Sequence, residues 1–148
     1  MVDSPAFFAD AELPSKFTCD GEGVAPSLSW GPLPDNATHS ALLAVDADAV
    51  SGDYVHWLWW DLGRAITFTP DGFQPAVHGA TVGNNSAGRQ EYAPPCPPRT
   101  DEAHRYVFTL YGLQGPLGLP AGSGRADFEA ALAGKVLAQG SIVATYRR

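Results

Sequence analysis

Residues 39–62 read HSALLAVDADAVSGDYVHWLWWDL, and this stretch decides the fold. Its first part, His39–Asp46, is a short, continuous apolar run, which is typical of a β-strand covered on both faces. Its last part, Tyr54–Leu62, is aromatic, lies between Gly52 and Gly63, and is also predicted to be a strand. Only a short turn separates the two strands, so they can pair as a hairpin.

Two further strands and one helix are predicted towards the C-terminus. Arg105–Leu113 (RYVFTLYGL) and Ser141–Tyr146 (SIVATY) are rich in β-branched and aromatic residues, as strands are. Large apolar side chains recur every four positions within Ala126–Gln139, as in an amphipathic helix, at Phe128, Leu132 and Val136. We therefore predict a mainly β fold, an antiparallel β-sandwich of two sheets with one amphipathic helix near the C-terminus.

The composition fits one domain with many turns. The chain has 148 residues, of which 16 are glycine and 13 are proline, without a collagen-like period. A chain of this length can bury a hydrophobic core, and no internal repeat or linker divides it, so residues 1–148 are predicted to form a single domain. Glycine and proline are concentrated in three long segments that are expected to be loops, namely Asp20–Asn36, Asp71–Arg99 and Gly112–Gly124.

Charge and hydropathy exclude several classes of partner. The formal charge is −7 and the pI is near 4.8. Nucleic acids and anionic membranes are not expected as partners, because both are bound mainly through basic patches. No apolar run reaches the ~18 residues that a membrane span needs. The N-terminal segment lacks a basic region followed by an apolar stretch, so no signal peptide is predicted and we expect a cytoplasmic protein.

One group of polar residues lies at the facing ends of the first two predicted strands. Asp46 ends the first strand, Asp48 follows it, and His56 lies near the start of the second. If these strands pair, two carboxylates and an imidazole come close together and form a polar site. The alternative is that both aspartates only stabilise the turn, through Asx-type hydrogen bonds.

His104 and Tyr106 form a second candidate pair. Alternate residues of a strand share a face, so His104, Tyr106 and Phe108 are predicted to lie on one side, and Arg105 and Val107 on the other. An imidazole and a phenol side by side can hold a phosphate or carboxylate oxygen. The alternative is a core histidine that bonds a backbone carbonyl. No tight metal signature such as H-E-x-x-H is present, so no metal site is predicted.

The two cysteines, Cys19 and Cys96, each lie in a segment rich in glycine and proline. A disulfide between them would close a long loop and stabilise the fold by roughly 4.5 kcal/mol in the chain-entropy model. The expected cytoplasmic location favours reduced cysteines instead. We therefore expect free thiols, with pairing to be decided by geometry.

The usual catalytic motifs are absent. The sequence has neither the G-x-S-x-G elbow nor the P-loop, and the stretch GNNSAG at Gly83–Gly88 lacks the lysine of a phosphate loop. No enzyme and no cofactor are therefore predicted. The alternative is a hydrolase with His56 or His104 as base and Asp46 as the orienting carboxylate, for which the sequence offers no obvious nucleophile.

Short motifs in a fixed order resemble those of a known family. They are FTCDG (17–21), PSLSW (26–30), VDADA (45–49), VHW (55–57), NSAG (85–88), PCPP (95–98), HRYVF (104–108) and ATY (144–146). Together they resemble the phosphatidylethanolamine-binding protein (PEBP) family, in its bacterial Raf kinase inhibitor-like branch, from about Phe17 to Arg148. Each motif alone is weak, but the ordered set is specific.

The resemblance implies two packed antiparallel sheets with a small anion-binding pocket at one end. It implies a binding or inhibitory protein that takes phosphate or phosphorylethanolamine-like head groups and, as in animal members, restrains kinases. A separate alternative is an inhibitor of a protease or kinase that acts through its long loops. Matched by motif, the ligand-binding residues are Asp46, Asp48, His56, Pro98, His104 and Tyr106. One implied role of Asp46 is to raise the pKa of His56 and keep the imidazole cationic.

The chain departs from the family pattern in two places. The family segment D-P-D-A-P reads D-A-D-A-V at 46–50, without either proline. The loop before His104 carries Asp101 and Glu102 where the family has a glycine-rich, mostly uncharged stretch. Two added negative charges near the pocket mouth predict weaker anion binding, unless Arg99 or Arg105 offsets them.

Overall fold

The fold is taken from a computed structural model that describes residues 1–148. Its strands are β1 (Val2–Asp3), β2 (Leu28–Trp30), β3 (His39–Asp46), β4 (Tyr54–Gly63), β5 (Phe68–Thr69), β6 (Thr81–Val82), β7 (His104–Leu113) and β8 (Val136–Tyr146). One helix, α1 (Arg125–Leu132), precedes β8. Two short 3-10 turns, Ser15–Phe17 and Pro75–His78, lie in the loops.

The strands form two antiparallel sheets. The larger sheet has the order β6-β4-β3-β7-β8 and the smaller one the order β1-β2-β5. An aromatic core fills the space between them, where the ring centroids of Trp30 in β2 and Trp59 in β4 are 6.4 Å apart. The predicted antiparallel β-sandwich is therefore confirmed.

The helix α1 covers the other face of the larger sheet. The ring of Phe128 lies 6.0 Å from that of Trp60 and 5.8 Å from that of Tyr111, between centroids. The central strand β3 therefore contributes to a hydrophobic core on each of its faces. Burial on both faces explains its continuous apolar sequence and confirms that prediction. No helix has the length and apolar character that crossing a membrane requires.

The helix is shorter than the sequence predicts. It ends at Leu132, and the chain continues into β8 from Val136, so the predicted helical continuation to Gln139 is wrong. Gly134 has a φ of 76°, a backbone conformation that glycine adopts at little cost and that ends the helix here. Val136 keeps the four-residue spacing because it packs against the same core from the strand.

Cys19 and Cys96 form a disulfide, with their Cα atoms 5.4 Å apart. The expectation of free thiols is therefore wrong. That expectation depended on the predicted compartment, whereas the folded chain brings the two loops together. The Tyr92 hydroxyl donates to the Phe17 carbonyl at 2.7 Å, and the backbone N–H of Cys19 donates to the Pro95 carbonyl at 3.1 Å.

Three strands bring their polar ends to one corner of the larger sheet. Because β3 runs antiparallel to both neighbours, its last residue lies beside the first residues of β4 and β7. Asp46 is paired with Tyr54 on one side and with Tyr106 on the other. The candidate functional residues of both sequence clusters therefore meet at this corner.

Candidate functional site

A cavity of about 320 Å³ opens at this corner. One wall is polar and comes from the strand ends. The other wall is the segment 93–98, which contains four prolines. Of the residues selected from the sequence, five line the cavity, namely Asp46, His56, Pro98, His104 and Tyr106. Asp48 does not line it.

A β-bulge places His56 in the cavity wall. The register of β4 against β3 passes from Val55 to Trp57, so His56 is the extra residue, and such bulges re-aim a side chain. Its carbonyl accepts the backbone N–H of Ala93 at 2.8 Å, and its Nδ1 lies 2.6 Å from the Ala93 carbonyl oxygen. Because a carbonyl only accepts, Nδ1 carries a proton, and Nε2 has no partner in the chain.

Burial keeps the His56 imidazole neutral. It lowers the pKa of His56 below its usual value, although the hydrogen bond to Ala93 and the charge of Asp46 act in the opposite direction. Asp46 does raise the pKa of His56, as the resemblance implies, but burial outweighs this effect, so the implied cationic state of His56 is not maintained. With Nδ1 protonated, a neutral His56 presents its Nε2 lone pair as a hydrogen-bond acceptor.

His104 instead lies between two carboxylates. Its Nδ1 is 2.6 Å from Oδ2 of Asp46, and its Nε2 is 2.9 Å from Oδ2 of Asp101. Burial by itself would lower the pKa of His104, but the two hydrogen-bonded carboxylates outweigh it and raise this pKa. His104 is thus an imidazolium whose two N–H groups are both used within the protein.

The Tyr106 hydroxyl is buried without a partner. The residue is only 2% exposed, its oxygen makes no well-formed hydrogen bond, and its side chain lines the cavity. Burial raises the pKa of Tyr106, and so do the charge of Asp46 and a weak hydrogen bond towards its carboxylate, so the phenol keeps its proton. The ring lies edge-on to that of His56, with 5.3 Å between centroids. Tyr106 therefore offers a donor without a well-formed hydrogen bond, close to the Asp46 carboxylate and beside the His56 acceptor.

Asp46 and Asp48 have different environments. Asp48 accepts from the backbone N–H of Arg105 at 2.8 Å and from its Nε and Nη2 at 2.9 and 2.8 Å. These bonds lower the pKa of Asp48 to about 2. Asp46 accepts from the backbone N–H of Asp48 at 2.8 Å through Oδ1. The Asx-type turn that the sequence left open is therefore present, together with the bond from Asp46 to His104.

Sequence reasoning missed three features of the site. Tyr54 lines the cavity and its ring packs against that of His56 in a tilted arrangement, with 4.8 Å between centroids. Its position two residues before His56 on one strand was a usable signal. Ala93 acts through its backbone carbonyl, which leaves no mark in the sequence. Asp101, predicted only as a charge near the cavity mouth, forms a hydrogen bond with His104. Arg105 pairs with Asp48 and so does not offset the charge of Asp101.

A family model for phosphatidylethanolamine-binding protein matches residues 3–147. The chain belongs to the phosphatidylethanolamine-binding protein family. The resemblance seen in the ordered short motifs is thereby confirmed, over a longer part of the chain than the motifs alone covered.

Bacterial relatives of this PEBP-family chain match it along almost its whole length. A UPF0098 protein of Aquifex aeolicus is 37% identical over 150 residues, which cover 99% of this chain and 88% of that protein. LppC of Mycobacterium tuberculosis, named as a candidate lipoprotein, is 40% identical over 145 residues, which cover 98% of this chain and 71% of that protein.

Solved structures share the PEBP fold with this chain. CT736 of Chlamydia trachomatis, described as a PEBP homolog, superposes with a TM-score of 0.92 at 31% identity and covers 99% of this chain and 96% of its own. YbcL of E. coli, described as a new member of the mammalian PEBP family, has a TM-score of 0.92 at 23% identity. The match covers 100% of this chain and 98% of YbcL. The two-sheet architecture is thus common to the group.

Proposed function

We propose that this PEBP-family protein binds a small phosphate-bearing anion in the cavity, without chemical turnover. The observation that carries the proposal is Tyr106, whose side chain lines the cavity and whose buried hydroxyl has no well-formed hydrogen bond. A buried polar group without a partner costs about 1–3 kcal/mol. A ligand oxygen that accepts from this hydroxyl removes that cost, which favours an oxygen-rich anion as the occupant.

The charges around the cavity favour a ligand that also carries a cation, as phosphorylethanolamine does. His104 is positive, but Asp46 and Asp101 bond it on both sides. Each Asp46 oxygen accepts one hydrogen bond in the structure and has capacity for another. An ammonium group is therefore expected at Asp46, while the phosphate oxygens lie at Tyr106.

Recognition without turnover fits the cavity better than hydrolysis does. Cys96 lines the cavity, but its sulfur is in the disulfide and is no thiol nucleophile. Asp46 orients His104, and His104 is cationic, so it lacks the free nitrogen that a general base needs. His56 keeps a free nitrogen, but no serine, threonine or free thiol lines the cavity for it to activate. Assays with phosphoester and ester substrates test this point, because turnover that disappears in His56→Ala would identify a hydrolase.

A regulatory partner and the cellular location belong to the same proposal. A kinase or protease inhibited by this protein would compete with phosphate if it used the cavity, and capture of host proteins with and without phosphate tests that. The predicted cytoplasmic location stays a prediction. Disulfides such as this one are typical of oxidising compartments. Fractionation of host cells therefore decides whether the protein lies in the cytoplasm or in an oxidising compartment.

Phosphate titration followed by NMR tests the binding proposal. We expect the His56 and Tyr106 signals to shift, and Tyr106→Phe to weaken binding by about 10- to 100-fold, because a hydrogen bond to a charged group contributes about 1.5–3 kcal/mol. Tyr111→Phe is the matched control, because Tyr111 lies on the same strand against the helix-covered core. Unchanged spectra at tens of millimolar phosphate, or equal affinity in Tyr106→Phe, would contradict the proposal.

A further inference from the structure

Resting on the function proposed above, we propose that the cavity selects phosphate groups that carry a P–OH, and therefore takes a phosphomonoester as its monoanion. The P–OH of inorganic phosphate or of a phosphomonoester donates to Nε2 of His56, and an unprotonated oxygen of the same group accepts from the Tyr106 hydroxyl. The ligand class is therefore a phosphate with a P–OH group: a phosphomonoester as its monoanion, or inorganic phosphate in either of the forms that it takes near neutral pH.

The geometry around His56 fixes which nitrogen carries the proton. The bulge in β4 and the Ala93 carbonyl, 2.6 Å from Nδ1, hold the ring so that its proton lies on the side of the 93–98 segment. The rings of Tyr54 and Tyr106 pack at 4.8 and 5.3 Å from it, between centroids. What His56 presents to a ligand is a lone pair, which repels an oxygen that has no proton.

The pair of side chains in the wall is thus one acceptor and one donor. A phosphomonoester dianion has acceptors only, so it satisfies Tyr106 and meets the lone pair of His56. A phosphomonoester monoanion has one donor and several acceptors, so it satisfies both, and inorganic phosphate keeps a P–OH donor as a dianion as well as a monoanion. Sulfate has the same shape but no proton near neutral pH, and a phosphodiester has one charge but no P–OH.

The charged groups that face His56 also act against a dianion. They are Asp46 from β3 and His104 from β7, and the neutral phenols Tyr54 and Tyr106 lie beside them. The 93–98 segment adds no ionisable side chain, because Cys96 is in the disulfide. Asp46 and Asp101 together outweigh the single charge of His104. Burial lowers the pKa of His56, so the proton in the hydrogen bond between Nε2 of His56 and the phosphate comes from the ligand.

A proton is therefore taken up when a phosphomonoester dianion binds. The second pKa of a phosphomonoester is about 6, so near pH 8 almost every phosphomonoester molecule must gain one proton before it fits. Affinity is expected to fall about tenfold for each pH unit above that pKa. Sulfate and a phosphodiester have no such proton to gain, so their weak binding is expected to show no uptake.

Calorimetric titration with four probes tests the inference. The probes are inorganic phosphate, O-phosphorylethanolamine, sulfate and the diester glycerophosphoethanolamine, each at about pH 6.5 and pH 8 in buffers of different ionisation enthalpy. We expect the first two to bind at least about tenfold more tightly than the last two at the lower pH. We also expect uptake of close to one proton for each O-phosphorylethanolamine bound at the higher pH, and no comparable uptake for inorganic phosphate, whose dianion already carries a P–OH.

The outcomes separate this inference from the proposed function. Equal affinities for phosphate and sulfate, or proton uptake with sulfate, would overturn the inference and leave anion binding intact, because His56 would then be the group that takes the proton. No binding of any probe would overturn the proposed function and the inference together.

Two variants identify His56 as the selecting group. His56→Gln supplies amide donors, so the preference for phosphate over sulfate is expected to fall to less than about threefold. Tyr106→Phe is expected to weaken the binding of both phosphate and sulfate and to preserve the ratio of their affinities. If His56→Gln does not fold, Tyr106→Phe still decides, since loss of the preference in that variant would contradict the assignment to His56.

Discussion

Replacing Asp46 by asparagine is expected to lower the free energy of unfolding by about 3 kcal/mol, because it removes one partner of a buried ion pair. The Asp46 side chain is 7% exposed and lies 2.6 Å from the imidazolium of His104. Asparagine keeps the size of the side chain and can still accept from the backbone N–H of Asp48. It loses the negative charge that His104 faces, however, and Asp101 alone then remains.

Asp48→Asn is the matched control. Asp48 pairs with Arg105, whose side chain is 60% exposed, and exposed ion pairs contribute at most about 1 kcal/mol. Urea unfolding followed by tryptophan fluorescence measures both variants. Equal losses at the two positions would contradict the description of Asp46 as the buried partner of His104.

The effect of Asp46→Asn is also expected to depend on pH in one direction. The pKa of His104 is raised in the folded protein, so the stability that its charge contributes is fully present below its unfolded pKa and is lost as pH rises through the folded value. The difference between wild type and Asp46→Asn should therefore shrink at alkaline pH. A difference that grows there would show that His104 is not the charged partner.

Reduction of the disulfide is expected to lower the free energy of unfolding by about 2–4 kcal/mol. Cys19 and Cys96 are separated by 77 residues, so the bridge restricts the unfolded chain strongly. Both cysteines are exposed, so a dithiol reductant can reach them. The four prolines of the 93–98 wall have no backbone N–H, which leaves few other bonds to hold this wall in place.

Thermal unfolding with and without dithiothreitol measures this effect. The double variant Cys19→Ser/Cys96→Ser is the control. With and without the reductant, its Tm should be the same and lower than that of the oxidised wild type. An unchanged Tm in wild type, with complete reduction shown by thiol titration, would contradict a stabilising role for the bridge.

The strand framework of this fold could be predicted because each strand leaves its own pattern. The continuous apolar run of β3 reports burial on two faces, and the alternation in β7 placed His104 and Tyr106 on one side. Where a pattern was ambiguous, the prediction failed. The four-residue spacing of apolar residues continued past Gly134, so the helix was extended into what is the start of β8.

The roles of the site residues depended on contacts that no local pattern records. Asp46 and Asp48 look alike in the sequence, but a turn directs the first to His104 and the second to Arg105. The neutral state of His56 results from burial and from a backbone carbonyl at Ala93. The disulfide joins positions far apart in the chain, and only the folded distance between them decides pairing.

A crystal structure of the protein grown with phosphate tests the central claim most directly. We expect tetrahedral density in the cavity, with one oxygen about 2.7 Å from the Tyr106 hydroxyl and another at hydrogen-bond distance from Nε2 of His56. An empty cavity in those crystals, or phosphate bound only outside it, would contradict the account.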